Sequence, residues 1–190
     1  LFLNTGNPKL ATFEVNENET SIGTVIATDP EGGIVSYSIT GGADAGDFII
    51  DQTSGVLSFA NAPDYETKSN YTVIVTASDG TNNATQTITV NVINANDAPT
   101  FTSTPVTTAK TGLLYTYEVK TSDPDGGFPE ITATTIPSWL FLYQEDEKLE
   151  GTPTNSDVGS HNVVLTARDS NGATATQAFT ISVSQFKPAD

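Results

Sequence analysis

Hard oxygen donors crowd one stretch of this chain. Asn94-Ala95-Asn96-Asp97-Ala98-Pro99 lies between Asp64-Tyr65-Glu66 upstream and Asp123-Pro124-Asp125 downstream. Carboxylate and amide oxygens in such number suit a hard divalent cation that takes roughly six to eight oxygen ligands, as calcium does. Zinc and the redox metals favour imidazole and thiolate, and the chain has no cysteine and a single histidine, His161. The chemistry indicated is coordination. A metal held where two domains join fixes their geometry and makes or breaks no bond.

Composition agrees. Asp and Glu number 23 against 7 Lys and Arg, a formal net charge of -16. Nucleic acid and anionic membrane surfaces would repel such a chain, and cations would be drawn to it. Without cysteine there are no disulfides, so rigidity must come from packing and bound metal. The Leu1-Phe2-Leu3 start is far too short to cross a bilayer, and no targeting run or long apolar span is present. The chain is therefore expected to be part of a longer protein, with no direct membrane insertion, and monomeric as a fragment.

Elements that could position the donors follow from an internal repeat. Val73, Val75, Ala77 and Asp79 recur as Val163, Leu165, Ala167 and Asp169 at an offset of 90 (163 less 73). Asp29-Pro30-Glu31-Gly32-Gly33 recurs as Asp123-Pro124-Asp125-Gly126-Gly127 at an offset of 94 (123 less 29). Such a period matches one immunoglobulin-sized sandwich per copy. Apolar residues alternate within each copy, the period of a half-buried strand. Leu113, Tyr115, Tyr117 and Val119 are expected on one face, opposite Leu114, Thr116, Glu118 and Lys120; Ile88, Val90, Val92 and Phe179, Ile181, Val183 repeat the pattern. Turn pairs such as Ser54-Gly55, Asp79-Gly80 and Asn171-Gly172 leave no window of helical periodicity. The reading is all-β: two tandem antiparallel β-sandwiches of Ig-like, Greek-key type, residues 1–98 and 99–190.

The first copy resembles a cadherin repeat across residues 10 to 99. Glu17-Asn18, Asp29-Pro30-Glu31, Gly55-Val56-Leu57, Asp64-Tyr65-Glu66, Ala77-Ser78-Asp79-Gly80 and Asn96-Asp97-Ala98-Pro99 fall in that family's order. It departs at Asn94, where the family linker opens with Asp, and by one residue missing before Ala98. The second copy, over residues 100 to 184, resembles the dystroglycan-type, cadherin-like repeat of bacterial surface proteins, also called the putative-immunoglobulin repeat. Ile136-Pro137-Ser138-Trp139-Leu140, Leu149-Glu150-Gly151-Thr152-Pro153 with Asp157-Val158-Gly159, and Ala167-Arg168-Asp169-Ser170-Asn171-Gly172 carry that likeness.

The cadherin resemblance implies an interdomain calcium set: Glu17, Asp64, Glu66, Asn96 and Asp97 from the first domain, and Asp123, Asp125 and Asp169 from the second. Its seven carboxylates would repel one another unless about three calcium ions neutralised them. A weaker, partial set, Asp29, Glu31 and Asp79, faces the N-terminal side, where Asn4-Thr5-Gly6-Asn7-Pro8 offers no carboxylate. At the far end of the second domain Val106 is expected at the place of Glu17, and Gly151-Thr152-Pro153 at that of Asp64-Tyr65-Glu66, so no full site forms there.

Catalytic readings are excluded by type. There is no Gly-x-Ser-x-Gly elbow, phosphate-binding glycine loop or thiol. Glu145-Asp146-Glu147 reads as a hairpin tip, His161 as a satisfied strand imidazole, and Trp139 as a core anchor. Three Asn-x-Thr strings, at Asn18, Asn70 and Asn83, are glycosylation acceptors in form only. The resulting expectation is a non-enzymatic, calcium-rigidified extender of an extracellular, cell-surface adhesin, bacterial and of the repeats-in-toxin kind, whose partners are neighbouring domains. The alternatives are a glycan- or protein-binding module, which needs Trp139, Phe141 or Tyr143 exposed in a row, and calcium-dependent homophilic adhesion.

Overall fold

A computed structural model of the protein describes residues 2–3 and 10–188. The Asn4-to-Pro8 segment, expected to bring no ligand, lies outside the described residues. The chain divides into two compact units, Leu1–Ala95 and Asn96–Asp190. Division comes just before Asn96 because Asn96 and Asp97 are hydrogen-bonded to Asp169 and Asp125 of the second unit.

Unit 1 contains β1 (Phe2–Leu3), β2 (Leu10–Asn16), β3 (Ser21–Thr24), β4 (Ala27–Thr28), β5 (Ser36–Gly41), β6 (Phe48–Ile50), β7 (Val56–Phe59), β8 (Asn70–Ser78) and β9 (Asn83–Ile93). One sheet runs β2-β9-β8-β5, a second runs β3-β7-β6, and β1 pairs with β4. Pairing is antiparallel except for β2, which lies parallel to β9. Alternation makes the sandwich: Val73, Val75 and Ala77 of β8 and Ile88 and Val90 of β9 meet Phe48, Leu57 and Phe59 from the other sheet in one core. Phe48, Phe59 and Tyr71 form an aromatic cluster within it, with Phe48 and Phe59 stacked at 4.9 Å.

Unit 2 repeats the plan with β10 (Thr100–Phe101), β11 (Thr108–Lys110), β12 (Tyr115–Glu118), β13 (Thr121–Ser122), β14 (Glu130–Thr135), β15 (Leu140–Tyr143), β16 (Lys148–Gly151), β17 (Gly159–Arg168) and β18 (Thr174–Ser184). Its sheets run β11-β18-β17-β14 and β12-β16-β15, with β10 on β13 and β11 parallel to β18. The repeated residues occupy the same strand of each unit: Val73, Val75 and Ala77 on β8, Val163, Leu165 and Ala167 on β17, all six at 0% exposure. Helical structure among the described residues is confined to the short 3-10 turns Ala45–Asp47 and Asn155–Asp157.

One alternation begins later than the residues suggest. Tyr115, Tyr117 and Val119 are buried as expected, but Leu113 is exposed, like Leu114. Gly112 adopts a φ of 74° and Leu113 N–H closes a turn onto Lys110, so the strand period begins only at Tyr115. The other assignments keep their places. Trp139 lies in the core, edge-on to Tyr115 and to His161 at 5.8 Å each. His161 Nε2 bonds the Asp157 carbonyl at 2.7 Å. Glu145, Asp146 and Glu147 form the tip between β15 and β16, with Glu147 at a φ of 49°.

Fully buried leucines of the two cores test their independence. Leu57→Ala and Leu165→Ala should each destabilise by about 2 to 5 kcal/mol, through lost burial and the cavity left behind. Trp139, the sole tryptophan, reports unit 2. Urea titration should shift its fluorescence transition for Leu165→Ala and leave it in place for Leu57→Ala, which moves the circular-dichroism transition alone.

Candidate metal centre

At the end of unit 1 the acids converge on its final residues. Glu17 follows β2 directly and is buried at 2% exposure. Burying a carboxyl group is costly unless its oxygens find donors, and both do: Oε2 accepts the Tyr65 N–H at 2.9 Å and Oε1 the Ala95 N–H at 2.7 Å. Glu66, exposed, receives the Asn94 Nδ2 amide on Oε1 at 2.8 Å. Ligand oxygens of Glu17 and Glu66 lie within 4.8 Å of each other. Asp64 is oriented differently. Its two oxygens accept the Thr67 N–H at 3.1 Å and the Thr67 hydroxyl at 3.0 Å, capping the turn that Lys68 N–H closes onto the Asp64 carbonyl. These bonds, the amide first and the hydroxyl second, lower its pKa below the usual aspartate value.

Unit 2 gathers a second group around its first residues. Asp97 N–H donates to Asp125 Oδ2 at 2.6 Å, and Asp125 N–H to Asp123 Oδ1 at 3.0 Å. Asn96 Nδ2 donates to Asp169 Oδ2 at 2.7 Å. Asp169 Oδ1 also collects the backbone amides of Asn171 at 2.9 Å and Ala173 at 2.8 Å. The Asn96 amide, the largest influence, holds the Asp169 carboxyl below its ordinary pKa; burial opposes it and the loop N–H groups of Ala173, Gly172 and Asn171 assist. These donors fix the direction of each carboxylate, and an oxygen that accepts one N–H keeps a lone pair for a cation.

The N-terminal loops of unit 1 are built alike. Asp29 accepts the N–H groups of Glu31 at 3.1 Å and Gly33 at 2.8 Å. Asp79 accepts those of Asn82 at 2.6 Å and Thr81 at 2.7 Å, which lowers its pKa. Glu31, the third member of this weaker set, joins it through its backbone amide.

Register corrects the expected equivalences at the far end of unit 2. Glu17 N–H bonds the Ile93 carbonyl, and Thr111 N–H bonds that of Ser184; Asn18 N–H bonds Pro63, and Gly112 N–H bonds Pro153. Thr111, not Val106, therefore stands in the place of Glu17. Like Glu17 it is buried, and its hydroxyl accepts the Phe186 N–H at 3.1 Å as Glu17 accepts that of Ala95. With Pro153 matching Pro63, Thr154-Asn155-Ser156 takes the place of Asp64-Tyr65-Glu66, which Gly151-Thr152-Pro153 was expected to fill. Hydroxyls and an amide stand there in place of the carboxylates.

Two members escaped the sequence. Asn94 registers there only as a departure from the linker pattern, and it holds Glu66. Asn171 reads as a turn residue, and its Nδ2 donates to Asn96 Oδ1.

Residues 11–93 match the family model described as Cadherin domain, and residues 98–184 the one described as Putative Ig domain, He_PIG. Mouse protocadherin-15 is 36% identical over 110 residues, 53% of this chain and 6% of that protein. Human cadherin EGF LAG seven-pass G-type receptor 2 is 40% identical over 89 residues, 43% of this chain and 3% of that protein. The chain thus spans 6% or less of these relatives. Human protocadherin-24 EC1-2 superposes with a TM-score of 0.63 at 20% identity, covering 98% of both chains. The human desmocollin-1 ectodomain gives 0.61 at 18%, covering 97% of this chain and 40% of that one. At these identities the structural likeness concerns the fold, two tandem cadherin-like sandwiches. Over residues 11–93 the sequence match is to cadherin domains, which are extracellular. No helix among the described residues is long and apolar enough to cross a membrane.

Asp169 supplies a pH test. Its folded pKa lies below the unfolded value of 3.8, so its contribution to stability is present above that pH and is lost as pH falls through the folded value. Carbon-detected NMR titration without calcium should place its midpoint below 3.8, and Asn96→Ala should raise it. An unmoved midpoint in that variant would remove Asn96 as the cause.

Proposed function

We propose that the chain is a calcium-stiffened spacer within a larger extracellular adhesin, with the ions bound where unit 1 passes into unit 2. One observation carries this reading. Four consecutive residues are each tied to a different acid: Asn94 to Glu66, Ala95 to Glu17, Asn96 to Asp169 and Asp97 to Asp125. Two of those acids belong to each unit. Consecutive Cα atoms are about 3.8 Å apart, so the four anchors fall within roughly 11 Å of chain whatever the orientation of the units. Acids drawn to so short a stretch repel one another unless cations intervene.

Glu17, Glu66, Asp97, Asp123, Asp125 and Asp169, with the Asn96 side chain, would hold the calcium. Asp64, engaged with Thr67, joins by turning one oxygen away from its cap. Oxygen-only donors of this kind fit calcium, whose coordination shell is larger and more tolerant than that of magnesium. The bound ion supplies positive charge and no redox chemistry. The chain's own part is orientation: amide donors from Tyr65, Ala95, Asp97 and the loop after Asp169 aim the carboxylates before any ion arrives. Asp29, Glu31 and Asp79 are proposed to bind more weakly, because their loops supply only three of the acids.

A joint held by ions suits a protein that must transmit force or keep a binding module away from a surface. The relatives named above come from mouse and human, so a bacterial host rests on the sequence motifs of unit 2 alone. Of the three aromatic residues a glycan-binding module would draw on, Trp139 is buried and Phe141 and Tyr143 are exposed.

Calcium at about 10⁻² M, above the roughly 10⁻⁴ to 10⁻³ M typical of extracellular modules, should raise the melting temperature and lengthen the maximum dimension in small-angle scattering. A site saturated about a hundredfold adds roughly 2.7 kcal/mol. Asp97→Asn and Asp125→Asn should each remove most of the calcium response while leaving the calcium-free melt nearly unchanged. Identical melts in calcium and chelator would sink the reading.

A further inference from the structure

Strand β15 is the last strand of its sheet and reads Leu140-Phe141-Leu142-Tyr143, with no charge, no proline and no break in its register with β16. Other edges carry a guard. Irregular registers interrupt β3, β5 and β14. Charges stand on β2 at Glu14, on β11 at Lys110 and on β12 at Glu118. Charges, bulges and short strands are the usual devices that keep an edge from pairing with another chain.

The equivalent strand of unit 1 sharpens the contrast. Strand β6, Phe48-Ile49-Ile50, exposes Ile49 as β15 exposes Phe141, at 56% and 57%. It is bracketed by Asp47 and Asp51, and an antiparallel self-pairing centred on Ile49 would bring these acids against each other. Trp139 and Gln144 bracket β15, and both are uncharged.

Main-chain direction follows from the ladder. In an antiparallel pair only alternate residues exchange hydrogen bonds. Leu140 N–H donates away from β16, to the Pro137 carbonyl at 3.0 Å, and Val119 N–H bonds Glu147 on the other side of β16 at 2.8 Å. Continued by alternation, these set Phe141 against Glu150 and Tyr143 against Lys148 as the bonded pairs. The N–H and C=O of Leu142 and the C=O of Leu140 then face the open edge. Phe141 and Tyr143 stand outward beside them, 57% and 48% exposed.

We infer that β15 pairs antiparallel with β15 of a second copy of this chain, about a twofold axis through Leu142. In that register the two Leu142 residues exchange both bonds, and Gln144 N–H of each copy meets the Leu140 carbonyl of the other. Phe141 of one copy faces Tyr143 of the other, twice, the cross-strand aromatic contact that stabilises sheets. Charge selects this arrangement. The Glu145-Asp146-Glu147 tip of each copy falls beside Pro137-Ser138-Trp139 of the other, whereas a parallel pairing would stack the two acidic tips. Since both chains carry a net charge of -16, association strengthens with salt. Four residues a side make a small contact, so the dimer is weak, on the order of 10⁻⁵ to 10⁻³ M. Such affinity suits a surface that displays many copies. This inference stands apart from the calcium reading, since none of the proposed ligands lies on β15.

Sedimentation equilibrium of the whole chain across that concentration range tests it, in calcium and in chelator. A reversible monomer–dimer equilibrium is expected, with amide exchange at Leu142 and Gln144 slowing as the dimer fills. Phe141→Glu, at an exposed position, should raise the dissociation constant by about tenfold or more, and Phe141→Trp should retain the dimer. Leu142→Pro should abolish it, with Trp139 fluorescence showing whether unit 2 has stayed folded. A monomer throughout, or a dimer indifferent to Phe141→Glu or leaving the Leu142 amide unprotected, would overturn the inference. Loss of the melting response to calcium with the dimer intact would instead count against the calcium reading alone.

Discussion

A carboxyl group taken out of water must have both its oxygens met by donors, and Glu17 shows how much of this molecule is arranged around that constraint. It leaves β2 at the point where the parallel pairing with β9 ends, so its side chain reaches the chain that continues from β9. The Tyr65 and Ala95 amides that receive it come from two segments remote in sequence and bring them to one place. Removing those bonds would leave a buried carboxyl group with nothing to offset its lost hydration. The acidic loop and the residues that follow β9 are therefore tied through one side chain before any ion is considered.

The remaining acids are treated differently, each according to its exposure. Asp29, Asp79 and Asp169 lie in loops and use backbone amides a few residues further on, a local device that needs no partner from elsewhere. Such bonds hold the carboxylate in one direction at small entropic cost, because the donors belong to a turn that is already closed. Asp125 and Asp169 differ from Asp29 and Asp79 in also receiving a donor from Asn96 or Asp97. The same loop, built twice, becomes part of a larger network only where those two residues reach it.

Much of this was legible in the residues. Val73, Val75 and Ala77 and their repeats predicted two like sandwiches because burial selects for a period of two, and that period survives in the sequence wherever a strand is regular. Leu113 misled because Gly112 turns the chain just before it, and alternation says nothing of where a strand begins. Loop acids were legible by type and order. What each acid points at was not: Asp64 sits in the motif beside Glu66, yet one of its oxygens accepts the Thr67 N–H and the other the Thr67 hydroxyl. Asn94 is hard to recognise because an amide is a poorer ligand than a carboxylate, and its value here lies in the N–H group that steadies Glu66. Equivalences at the far end of unit 2 failed for a related reason, since loops change length and only backbone registration identifies Thr111 with Glu17.

That last equivalence separates what the fold requires from what the site requires. At this position the sandwich needs a buried acceptor for the amide that follows the final strand, and a threonine hydroxyl meets the need at Phe186 as well as a carboxylate does at Ala95. A hydroxyl brings no charge and, with one donor already bound, has little left for a cation. A glutamate in the same place satisfies the backbone and adds a second oxygen together with a formal charge. Choosing Glu17 over a threonine is thus unnecessary for closing the sandwich, and the choice is made at the end of unit 1, where Glu66 lies alongside. Carboxylates placed where a neutral group would serve the fold are the strongest physical argument that this end of the domain is built to receive a cation.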